Sequence, residues 1–115
     1  MDYKTIDVEH HKNKTIVTVK EKRIYLGITD IFREEILELL KSEIQELIFN
    51  LENVAVMNSA GLGVLIMARD LITKKGGKIK LTHLQSLMLD IFSRMRLDTL
   101  FDIYDTLEEA AIEGE

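Results

Sequence analysis

Asn53-Val54-Ala55-Val56-Met57-Asn58-Ser59-Ala60-Gly61-Leu62-Gly63-Val64-Leu65 is the stretch on which the fold of this chain turns. It follows Leu47-Ile48-Phe49-Asn50-Leu51, a short and almost continuous apolar run of the kind buried on both faces of a mostly parallel sheet. The spacing predicts a strand that turns at Ser59 and opens a helix, with Ser59 as the N-cap. Gly61 and Gly63 carry no side chain to screen the helix end, so the Ser59 hydroxyl and the neighbouring backbone N–H groups should be reachable by a protein partner. A bare helix start is also a site that tolerates an anion.

Downstream of this turn, a helix is predicted from about residue 60 to 75. At about 100° per residue, Gly61, Val64, Leu65, Ala68, Leu71 and Ile72 share one face, whereas Leu62, Gly63, Ile66, Met67 and Asp70 lie off it. Leu62, Ile66 and Met67 are therefore expected to be partly exposed, which marks an apolar docking surface around the helix start. Gly76-Gly77 is a helix stop, and Lys78-Ile79-Lys80-Leu81-Thr82 is a strand joined to the central one by this crossover helix, hence parallel to it. Leu87, Met88, Ile91, Phe92 and Met95 mark a second crossover helix. Phe101-Asp102-Ile103-Tyr104 is a short strand, and Asp105-Thr106-Leu107-Glu108 opens a last helix with an Asp-x-x-Glu capping pattern. The residues from Ala111 to Glu115 are expected to fray.

Upstream, the alternation of Thr5-Ile6-Asp7-Val8-Glu9-His10 resumes in Thr15-Ile16-Val17-Thr18-Val19, an antiparallel hairpin at one sheet edge. Ile24-Tyr25-Leu26 reads as a brief strand, after which Asp30 is expected to cap a helix with Glu34 and Glu35 near its positive end. Phe32, Ile36, Leu39 and Leu40 form its buried stripe, flanked by Ile31, Leu37 and Ile44.

Composition narrows the function. The chain has 115 residues, 46% hydrophobic and 30% charged, which suits one compact domain over residues 1–115. A net charge of −5 without a dense Lys/Arg stripe argues against nucleic acid as a partner. The absence of cysteine removes disulfides, zinc thiolates and thiol nucleophiles. No apolar run approaches the roughly 20 residues that span a bilayer and the first residues are polar, so neither membrane nor secretion is expected and the chain reads as cytoplasmic.

Catalytic chemistry finds little support. His10 and His11 are adjacent on a strand and point to opposite faces, and His83 stands apart, so no metal is expected. The carboxylates Glu34, Glu35, Glu38 and Glu43 fit a solvated helix face. Asn58-Ser59-Ala60-Gly61 is not a Gly-x-Ser-x-Gly elbow, and Gly61-Leu62-Gly63 lacks the remaining residues of a dinucleotide fingerprint or P-loop. No catalytic residue and no cofactor are expected. A regulated surface is the reading that remains: a phosphate on Ser59 adds roughly two negative charges where the helix dipole tolerates them, and changes what can dock there.

Leu47-Ile48-Phe49-Asn50-Leu51, Val56-Met57-Asn58-Ser59-Ala60-Gly61-Leu62-Gly63-Val64-Leu65 and Gly76-Gly77-Lys78-Ile79 together resemble the bacterial STAS domain, specifically the anti-sigma factor antagonists of partner-switching systems. The resemblance covers about residues 5 to 112. It implies an α/β fold, a mixed sheet of four to five strands with about four helices packed on one side. It also implies a non-enzymatic regulator: unphosphorylated, such an antagonist binds a serine kinase that is also the anti-sigma factor, and phosphorylation of the serine releases it. A phosphatase would reset the switch.

Ser59 matches the phosphorylated serine of that family, and the partner surface carried over consists of Tyr25, Asn58, Ser59, Ala60, Gly61, Leu62, Gly63, Ile66 and Met67. Two positions depart from the family pattern. Asn58 stands where the family has aspartate, and Tyr25, in Lys22-Arg23-Ile24-Tyr25, replaces an acidic partner-contacting residue. The rival reading is a scaffold that binds a partner constitutively, with Ser59 serving only as a helix cap.

Overall fold

The computed structural model describes residues 2–112. Strands β1 (Ile6–His11) and β2 (Lys14–Val19) form the expected antiparallel hairpin at the edge of a five-stranded sheet. From β2 onward the sheet is parallel, through β4 (Glu46–Asn50) and β6 (Lys78–Thr82) to β7 (Asp102–Tyr104). The order is β1-β2-β4-β6-β7, which places the all-buried β4 at the centre. A mixed sheet with four helices is the architecture expected.

Strand β4 has five buried residues because both of its faces are covered. Side chains alternate along a strand, so Leu47, Phe49 and Leu51 join the main core with Ile79 and Leu81 of β6. That core also takes Phe32, Ile36 and Leu39 from α1 (Leu26–Leu39), Val64, Leu65, Ala68 and Ile72 from α2 (Ser59–Lys74), and Met88 and Phe92 from α3 (Ser86–Arg94). Of the residues that mark α3 in the sequence, Met88 and Phe92 are buried, while Leu87 and the C-cap residue Met95 are exposed, because this amphipathic helix buries only one narrow face.

Glu46, Ile48 and Asn50 point the other way. On that face lies α4 (Leu107–Ile112), against β4, β6 and β7 and opposite α1, α2 and α3. The helices are thus not all on one side: the last one closes the second face. Beneath it Lys80 Nζ lies 3.3 Å from Glu46 Oε2, donates to the Ala110 carbonyl at 2.7 Å and sits 5.5 Å from the Tyr104 ring centroid. Two charges this deeply buried persist only because each has an opposite or polar partner.

Two helix starts differ here from the sequence expectation. Helix α1 begins at Leu26, with Tyr25 as an N-cap residue that makes no side-chain capping bond, so Ile24-Tyr25-Leu26 is a strand only over β3 (Arg23–Ile24). Asp30 is then inside the helix, paired with Arg33 at 3.0 Å, and Glu34 and Glu35 lie beyond the first turn. In α4 the capping box is shifted by one residue: Thr106 Oγ1 accepts from the Glu109 amide and pairs with its carboxylate, both at 3.2 Å. By contrast α2 ends as predicted. Gly76, at φ +83°, donates to Thr73, and Gly77 donates to the Ile72 carbonyl at 2.9 Å, a Schellman closure that needs the left-handed glycine.

Glu35 fastens the start of the chain to α1. Its carboxylate accepts the Lys4 amide at 2.6 Å, the Thr5 amide at 2.8 Å and the Thr5 hydroxyl. Burial disfavours that charge, but the hydrogen bonds from Thr5 and Lys4, with Lys20 nearby, outweigh it and hold the pKa below the ordinary glutamate value. A lowered folded pKa means a contribution fully present above the unfolded pKa and lost as the pH falls through the folded one. Urea titrations of wild type and Glu35→Gln should therefore differ most near neutrality and converge on acidification below about pH 4. A gap that stays constant with pH would show that the charged carboxylate contributes nothing.

Candidate functional site at the start of helix α2

Between β4 and α2 the chain makes a two-residue strand, β5 (Val56–Met57), that pairs in parallel with β3 and belongs to a separate small sheet. Arg23 opposes Val56, Ile24 opposes Met57, and the Asn58 amide donates to the Ile24 carbonyl at 2.9 Å. This ladder holds residue 58 extended, at φ −76° and ψ 173°, and so sets where the helix begins.

Asn58, not Ser59, is the N-cap. Its Oδ1 accepts the Gly61 amide at 2.8 Å, and its carbonyl accepts the first helical bond from Leu62 at 3.1 Å. Both residue types are good caps, and the β3–β5 register decides between them. Ser59 is left as the first helical residue, exposed, and among the described residues no hydrogen bond engages its hydroxyl. Thr29 of α1, buried and unremarked in the sequence, also donates to Asn58 Oδ1, at 3.3 Å. Its spacing to Phe32 and Ile36 would have put it on the buried stripe of α1 had the helix been started at Leu26.

The two glycines play different parts. A Cβ on Gly61 would stand 2.9 Å from Ile24 Cγ2 and 3.3 Å from Met57 Cβ, so its bareness lets α2 dock on the β3–β5 ribbon. Around Gly63 there is open space, and that glycine does leave the helix start uncovered.

Of the residues expected at a partner surface, Tyr25, Asn58, Ser59, Ala60 and Gly63 are exposed around one turn. Ile66 and Met67 are half-buried and packed against the core. Leu62 corrects the sequence expectation: it is only 3% exposed, because α2 packs on α1 as well as on the sheet and its buried arc is wider than one stripe. Helix α3 packs on β5 and carries exposed Leu87 and Leu89, and Leu26, beside Tyr25, is 75% exposed. Among the described residues no three His, Asp or Glu side chains gather where a metal would sit, and no helix is long and apolar enough to cross a membrane.

The cap assignment has measurable consequences. Asn58→Ala should cost about 1–2 kcal/mol, since it also strands the buried Thr29 hydroxyl, whereas Ser59→Ala should stay within about 0.5 kcal/mol of wild type. Gly61→Ala should cost about 1–3 kcal/mol through the Ile24 clash, and Gly63→Ala should not destabilise. Urea unfolding checks all four, and a larger loss at Ser59 than at Asn58 would reverse the assignment.

Residues 5–110 match the family model described as STAS domain. Among characterised proteins, the chain is 26% identical over 111 residues to an anti-sigma F factor antagonist of Paenibacillus polymyxa, covering 96% of this chain and 94% of that protein. It is 28% identical over 98 residues to an anti-sigma-B factor antagonist of Bacillus subtilis, covering 85% and 88%. Its fold is shared with the anti-sigma factor antagonist SpoIIAA of Bacillus, solved in unphosphorylated and phosphorylated forms. The TM-score is 0.71 to each, at 17% and 18% identity, over 94% of this chain and 94% and 96% of those chains.

Proposed function

We propose that this chain, which belongs to the STAS domain family, is an anti-sigma factor antagonist whose binding is switched at Ser59. Unphosphorylated, it docks on a serine kinase that is also the anti-sigma factor and so frees a sigma factor; phosphorylated on Ser59, it lets go, and a phosphatase restores it. The carrying observation is that Ser59 is exposed at the first position of α2 while Asn58 does the capping. A serine that is not the cap can be esterified without unmaking the helix end.

The physics of the switch is local. A phosphate at Ser59 would face the positive end of α2 and the unpaired amides of its first turn, so the folded domain tolerates the added charge. A partner packed over the turn would have to desolvate that charge without a group to pair it, at a cost of several kcal/mol. The names of the Paenibacillus and Bacillus relatives support the antagonist role, and the two forms of SpoIIAA support a phosphorylated state compatible with this fold. Nothing in the site speaks for turnover, and a regulator located in the cytoplasm fits it best.

Titration calorimetry with the host's purified anti-sigma factors tests the proposal. Ser59→Ala should bind as wild type does, and Ser59→Asp should bind at least about tenfold more weakly. Equal binding by the two variants would instead favour a constitutive scaffold, in which Asn58 marks the loss of phosphorylation.

A further inference from the structure

Leu26 is the outlier of the molecule's surface. It takes a φ of +50°, in the left-handed region that is disfavoured for an L-residue with a Cβ, and it does so with its side chain 75% exposed. The flexible residue, Gly27, is next to it and has no positive φ, so the strain has not been placed where the sequence could absorb it. Nor does the core gain from it: Leu26 is neither in the hydrophobic core nor among the apolar residues packed on it. Lys12, His83 and Arg96 also take a positive φ, but of the four Leu26 alone is apolar, and a strained, exposed apolar side chain outside the core is a candidate for a functional one.

Its position says what that role is. Ile24 is laddered to Met57 and bonded to the Asn58 amide, and Thr29 reaches the same Asn58 side chain, so the Tyr25–Ile28 turn is held on both sides by the residue that caps the Ser59 helix. Tyr25 and Leu26 are adjacent, exposed and apolar, and they sit between the two contacts that tie this turn to Asn58. An anti-sigma factor seated over Ser59 would meet the pair on its edge.

We infer that Leu26 is a specificity-determining anchor for the anti-sigma factor, projected by its left-handed backbone at the expense of the domain's own stability. This rests on the proposed antagonist function for the identity of the occupant. The Ser59 turn supplies the on–off control, and Leu26, with Tyr25, supplies a constant apolar contact. The occupant therefore presents an apolar recess beside the Ser59 seat.

The test is Leu26→Asn, a polar residue that adopts the left-handed region readily. It should raise the melting temperature by about 3–6 °C. It should also weaken binding of the purified anti-sigma factor that recognises wild type by about tenfold or more, with Ser59→Asp measured in parallel. Unchanged affinity overturns the anchor, and an unchanged or lower melting temperature overturns the strain. If Leu26→Asn loses affinity while Ser59→Asp does not, the anchor stands and the phosphoswitch falls. Should no anti-sigma factor of the host bind the wild-type chain, both fall.

Discussion

The side-chain oxygen of Asn58 holds the functional end of this domain together. It closes the first turn of α2 through Gly61 and receives the Thr29 hydroxyl of α1, while the backbone of the same residue is bonded to Ile24. The start of α2, the first turn of α1 and the end of β3 thus meet at one residue, the first two on its neutral side chain and the third on its backbone. An aspartate could accept the same two bonds, with a stronger attraction to the helix dipole, but it would set a negative charge beside the serine hydroxyl. The carboxamide keeps the geometry and leaves the neighbourhood of Ser59 without that charge.

The cap and the proposed modification site are separate residues, which fixes how a switch here would work. Esterifying a capping hydroxyl would disturb the helix it terminates. Esterifying the next residue changes the charge and shape of the surface while the Asn58 bonds, the Gly61 contact with Ile24 and the β3–β5 ladder stay in place. The proposed regulation is thus exclusion of a partner by a charge it cannot desolvate, rather than refolding of the antagonist.

The second face of the sheet is built on a different principle. There α4 closes over Ile48, Glu46 and Lys80, and the Lys80 ammonium holds both the Glu46 carboxylate and the helix carbonyl of Ala110. Such a pair adds little net stability beyond what apolar residues would provide, but it penalises any placement of α4 that leaves either charge unpaired. The apolar face supplies most of the burial, and the polar face specifies where the last helix goes.

Local chemistry made much of this legible in the sequence. Alternation identified the β1–β2 hairpin, the continuous apolar run identified the doubly covered β4, the Gly76-Gly77 pair located the end of α2, and the Ser-x-Gly-Leu-Gly string identified the family, all because such signals depend on periodicity or on residues within a turn of one another. The cap was another matter. Asn58 and Ser59 are both competent, and only pairing with β3, some thirty residues earlier, decides between them. The same long-range ribbon moved the start of α1 from Asp30 back to Leu26, assigned Gly61 to packing, and tied the end of β3, just before Tyr25 and Leu26, to Asn58. Leu62 and α4 were decided in the same way, by which elements came to lie over them. Sequence determined the elements and the reactive-looking serine; tertiary structure determined which neighbours close each helix end and which apolar side chains face water, since both depend on contacts between segments that no local pattern encodes.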